Sequence, residues 1–194
     1  MEEKELNQKL YDMFKEMLLV LEDAKVGFFT QNQTILTKAE TKLTAILTSN
    51  LPFTEDLVKK ERKTDAEKKY LNLLPQLQLM AVNIRNLINE KKKKIESHLL
   101  FTDKAMNEIR ELYTLLQGQF QDATDYILTK NSHLRMHIKT GMESLFKKAD
   151  EYVTGHETRL ITGLCMPKAS YSYIAIVDSM KTVSRELASF SEKL

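Results

Sequence analysis

The stretch Asp23-Ala24-Lys25-Val26-Gly27-Phe28-Phe29-Thr30-Gln31-Asn32 returns 99 positions later as Asp122-Ala123-Thr124-Asp125-Tyr126-Ile127-Leu128-Thr129-Lys130-Asn131. A fixed internal offset of about half the chain means two copies of one structural unit. The apolar pattern before it repeats as well. Leu10, Met13, Phe14, Met17 and Leu21 stand opposite Ile109, Leu112, Tyr113, Leu116 and Phe120. At a slightly larger offset, Tyr70, Leu73, Leu74, Leu77, Met80, Ile84 and Leu87 face Tyr173, Ile176, Val177, Met180, Val183, Leu187 and Phe190. The expected division is residues 1-98 and 99-194.

Working outward, apolar residues recur at three- and four-residue steps, while five glycines and three prolines leave little material for hairpin turns. The fold class is therefore all-α, with six long helices in two tandem three-helix-bundle repeats. The spacing predicts helices over about Glu3 to Phe29, from Thr34 onward, Asp65 to Ser97, Asp103 to Lys130, Ser132 to Gly163, and from Pro167 to about Phe190. The second helix is expected to be interrupted at Asn50-Leu51-Pro52-Phe53. Thr54 then caps a short resumption over Glu55 to Lys63. Pro75 is expected to kink the third helix without breaking it. Gly163 and Pro167 read as a left-handed stop followed by a helix start.

With 42% hydrophobic residues the chain can bury a sizeable core, and a net charge of +2 gives no pull toward nucleic acid. The single cysteine, Cys165, fits a reducing compartment, and no apolar run approaches the ~20 residues needed to span a bilayer. A cytoplasmic location is expected. The chain has no phosphate-binding glycine loop, nucleophile elbow or zinc-enzyme signature. It is read as a non-enzyme, with no catalytic residue, no cofactor-binding residue, no metal ligand and no cofactor assigned.

His133 and His137 lie one turn apart without a third ligand fixed by spacing. His156 falls near the inner stripe of its helix and reads as a core-edge histidine. Cys165 reads as a small packing residue. Glu108 with Glu111, Asp122 with Asp125, and Asp150 with Glu151 are acidic pairs of the kind a charged helical surface produces by chance. Arg159 and Lys168 could meet a phosphate oxygen, as most surface cations could. The run Glu90-Lys91-Lys92-Lys93-Lys94 reads as a solvated helix end, or alternatively as a contact for an acidic partner or anionic lipid.

Phe101-Thr102-Asp103-Lys104-Ala105, His156-Glu157-Thr158-Arg159-Leu160 with Gly163-Leu164-Cys165-Met166-Pro167, and the segment Tyr173 to Phe190 together resemble the PhoU family. They are similar to the PhoU-type regions at the cytoplasmic ends of sodium/phosphate cotransporters. The resemblance implies a cytoplasmic, often dimeric regulator of phosphate transport or signalling that contacts a phosphate transporter or a sensor kinase. It also implies a Glu/Asp-x-x-x-Asp metal motif on the last helix of each repeat. This chain carries Gln78 and Val82 at the first pair of positions and Lys181 and Arg185 at the second, so the metal cluster is expected to be lost. The alternatives are a peripheral membrane-binding helical protein, or a metal-binding member of the family using other ligands.

Overall fold

A computed structural model describes all 194 residues. The chain forms α1 (Glu3–Phe29), α2 (Gln33–Lys59), α3 (Asp65–Glu96), α4 (Asp103–Thr129), α5 (Ser132–Ile161) and α6 (Pro167–Lys193), with no strand. Helices α1, α3, α4 and α6 form the centre, α3 lying along α6 and α1 along α4. Helix α2 covers α1 and α3 on one side, and α5 covers α4 and α6 on the other. The apolar residues matched between the halves are buried, Leu74 only partly, and Phe14 joins the two sets of helices through Phe120, at 5.3 Å between centroids, and Phe190, at 4.5 Å.

The repeated ten-residue stretch builds the same turn twice. The Thr30 hydroxyl donates to the Val26 carbonyl at 2.7 Å, and that of Thr129 to Asp125 at 2.9 Å. Gln31 (φ 53°) and Lys130 (φ 51°) both adopt the left-handed conformation that ends a helix. Asn32 and Asn131 then cap the next helix, accepting from the backbone N–H of Ile35 and His133. Sequence similarity therefore marks a stop, a reversal and a restart. Gly27 is required in the first copy, because a Cβ there would come within 2.8 Å of the Leu36 side chain.

The expected break in the second helix does not occur: α2 continues through Pro52 to Lys59. A helix-interior proline costs on the order of 3 kcal/mol, so other contacts must hold the segment. Phe53 meets the Tyr70 ring edge-on at 5.1 Å, the Lys9 ammonium lies 4.3 Å from its centroid, and Leu57 is buried. Thr54 caps nothing; its hydroxyl donates back to the Asn50 carbonyl at 2.9 Å. Helix α3 likewise runs unbroken through Pro75, and it opens on a reciprocal capping box between Thr64 and Glu67. Gly163 is left-handed at φ 74°, and Pro167 occupies the first turn of α6, as the stop-and-restart reading requires.

Candidate functional site

The last turns of α3 hold the main departure from the sequence reading. Lys91 and Lys94 do not face water; both are buried, Lys91 completely. They continue the inner stripe of Ile84, Leu87 and Ile88 at three- and four-residue steps, so helical register overrides charge. That stripe was the signal that could have located them. The Lys91 ammonium group donates to the Ala24 carbonyl at 3.2 Å and to the Tyr113 hydroxyl, and lies 3.8 Å from the Tyr113 ring centroid and 4.8 Å from that of Phe28. Lys94 lies over Phe101 at 5.1 Å and over Phe28 at 5.8 Å. Aromatic faces attract cations, but they do not replace hydration. Burial, with the nearby Lys25 charge, drives the Lys91 pKa well below the usual lysine range, and burial lowers that of Lys94. Only Lys92, paired with Glu40 at 2.8 Å, and Lys93, paired with Glu90 at 3.6 Å, match the expected solvated helix end.

Phe101, in the α3–α4 connection, carries this seam into the second half. Its ring lies 6.2 Å from Phe28 and 6.1 Å from Tyr173. The Tyr173 hydroxyl donates to buried Glu108 at 2.7 Å. Arg159 grips the same carboxylate with two bonds, of 3.0 and 2.7 Å. Arg159 is thus committed to an ion pair and is not free for a phosphate oxygen. Burial, then the hydrogen bond to Glu108, raises the Tyr173 pKa, so the phenol keeps its proton.

His156 stacks on Tyr173, with centroids 4.3 Å apart, and its Nε2 is 2.8 Å from the Ser170 hydroxyl. This is the core-edge histidine expected. Burial, then the Arg159 charge, lowers its pKa and favours the neutral ring. Cys165, read as packing material, has its Sγ 3.9 Å from His156 Nδ1. The α5–α6 turn brings the two together, and their sequence spacing carries no helical signal for that contact. Glu111 is separated from Glu108: it is exposed and accepts from Lys148 at 3.1 Å and from the Tyr152 hydroxyl. Beside it, Lys104, Arg110 and Lys148 border an open groove between α4 and α5 of about 570 Å³.

The positions to which the resemblance assigns metal-binding carboxylates do not fit a cation. Lys181 donates to Asp150 at 2.6 Å and lies 4.8 Å from the Phe146 centroid, while Arg185 pairs with Glu186 at 3.2 Å. Two fixed positive charges occupy the second site. In the first, Gln78 borders an apolar groove of about 240 Å³ between α1, α2 and α3, and Val82 is exposed. No group of three or more histidine, cysteine, aspartate or glutamate side chains is placed to hold a metal ion. His133 and His137 gain no third ligand.

No protein-family model matches the chain, and no curated protein matches it by sequence. The comparison with solved structures differs. The crystal structure of PhoU from Pseudomonas aeruginosa superposes with a TM-score of 0.81 at 9% identity, over 98% of this chain and 93% of that one. The fold is PhoU-like. The PhoU-like architecture thus persists where sequence identity has almost vanished, because it rests on the inner stripes of six helices and not on particular side chains.

Proposed function

We propose that this chain is a non-catalytic cytoplasmic regulator or accessory protein of phosphate transport or phosphate signalling. It acts by contact with a phosphate transporter or a sensor kinase, as a monomer or homodimer, without a metal cluster. The observation that carries the reading is the PhoU-like superposition along nearly the whole chain. The metal-free part rests on the ion pairs of Lys181 and Arg185. The division into repeats at 1-98 and 99-194 is supported by the turn that Gln31 and Lys130 build in the same way.

The test is deletion of the gene in its host, with phosphate uptake followed in phosphate-rich and phosphate-poor medium. Deregulated uptake, restored by the wild-type chain, is the expected result. Uptake that is unchanged in both media would overturn the proposal. Metal analysis of the untagged protein tests the second part: stoichiometric iron or zinc in wild type would restore a metal-binding role through other ligands. Metal acquired only by a Lys181→Glu, Arg185→Asp variant would support a disabled site.

A further inference from the structure

The two ends of the helical bundle differ in charge. At one end lie the connections 30–32, 97–102 and 162–166, tied together by the Gln33 to Glu96 hydrogen bond of 2.7 Å and by the rings of Phe28, Phe101 and Tyr173. None of these three connections contains Asp, Glu, Lys or Arg. At the other end, the connections at 60–64 and 130–131 carry Lys60, Glu61, Arg62, Lys63 and Lys130. From Leu160 to Val177 the only charged residue is Lys168.

This end also presents large apolar side chains to water. Ile161 is 86% exposed, Tyr171 77% and Leu100 73%, and Leu164 and Met166 are each more than half exposed. Four of these, Ile161, Leu164, Met166 and Tyr171, fall within eleven consecutive residues at the end of α5, its following turn and the start of α6. Isolated exposed apolar residues need no explanation, but a cluster beside connections that carry no charged residue does. None of them borders either groove described above. No helix is long and apolar enough to cross a membrane, which limits any lipid contact to the interface.

We infer that this tip seats the protein on a lipid bilayer, with Ile161, Leu164 and Met166 entering the acyl boundary. Tyr171 suits the headgroup level, where a ring with one polar end is stable. Lys168 can keep its ammonium group among anionic headgroups while its stem lies along the apolar surface. The acidic residues of this end, Glu96, Asp103 and Glu157, lie in α3, α4 and α5 and outside the three connections. Contact through this surface is independent of Lys91 and Lys94, which are buried. It also stands apart from the phosphate-regulatory reading, so either can fail without the other.

The experiment is flotation of the full chain with vesicles of phosphatidylcholine, with and without phosphatidylglycerol. Wild type is expected to float, and to float better with the anionic lipid. An Ile161→Glu, Leu164→Glu variant, altered only at exposed positions, should lose about tenfold or more in vesicle affinity, given the apolar area withdrawn. Val58→Glu, an exposed apolar position in the last turn of α2 at the charged end, should bind as wild type does. Because the chain has no tryptophan, Leu164→Trp supplies a single reporter, whose emission should shift to the blue on adding vesicles. Absence of flotation with either vesicle, flotation unaffected by the double substitution, or an unshifted Leu164→Trp emission would each overturn the inference.

Discussion

Glu67 and Glu108 occupy corresponding ends of their three-helix sets and are equally buried, yet Glu67 leans on an exposed lysine and Glu108 on an enclosed arginine and tyrosine. Glu67 accepts from Lys60 at 2.7 Å, from the Thr64 backbone N–H at 2.8 Å and from the Met1 amino group at 3.1 Å, beside the charged connection 60–64. The Lys60 and Thr64 hydrogen bonds hold its pKa down at about 2. Glu108 has Arg159 and Tyr173, the latter packed against His156, with exposed Lys104 at 3.9 Å. The difference teaches that one scaffold end can stabilise a carboxylate either by gathering donors at a helix start or by enclosing it between side chains of neighbouring helices.

The comparison breaks most sharply at Glu108. Glu108→Ala leaves the Arg159 guanidinium and the Tyr173 hydroxyl without their partner, and a loss of about 3 kcal/mol in urea unfolding is expected. A near-neutral result would mean that water enters the site freely. Next in size, Lys91→Met replaces a buried amine by an apolar chain of similar length and should stabilise the protein by about 1 to 2 kcal/mol at neutral pH. Its folded pKa lies below the usual 10.5, so between those values the unfolded state binds the extra proton and wild-type stability rises with pH. The gap between Lys91→Met and wild type should therefore close as pH approaches 10.5, and urea midpoints across that range would show a widening gap if the sign is wrong.

At Glu67 the effect is present at neutral pH and disappears in acid. The depressed pKa of Glu67 gives stability that is complete above about 4.5 and lost as pH falls toward about 2. Glu67→Gln should unfold at lower urea than wild type at neutral pH, and the two curves should converge below about pH 2. A constant offset at all pH values would assign the loss to packing instead. The smallest change is expected at Lys93, which shares a helix turn with the buried lysines but faces solvent. Lys93→Ala should move stability by less than about 0.5 kcal/mol. A larger shift would show that the outer lysines also support the seam.

Much of the fold was legible in the chain. Helices α1, α4, α5 and α6 begin and end within a residue or two or three of the positions that periodicity, Asn131, Thr102, Gly163 and Pro167 indicate. Pro52 misled because proline speaks only of the local backbone, while Phe53 and Leu57 hold α2 straight through contacts made elsewhere. Thr64 and Glu67 carried a readable capping signal at their three-residue spacing. The seam was half legible: the register of α3 pointed Lys91 and Lys94 inward, but a run of like charges pointed outward.

The sequence by itself determined the six helices, their apolar faces and the repeated Thr-x-Asn turn, because these depend on residues three or four positions apart and on backbone preferences within one turn. Tertiary structure decided that Glu108 and Glu111 part company, that Arg159 closes on Glu108, that Cys165 meets His156 and that uncharged connections gather at one end. Those outcomes depend on which helix faces which across the bundle, and pairing between distant segments is fixed by the packing of the whole core.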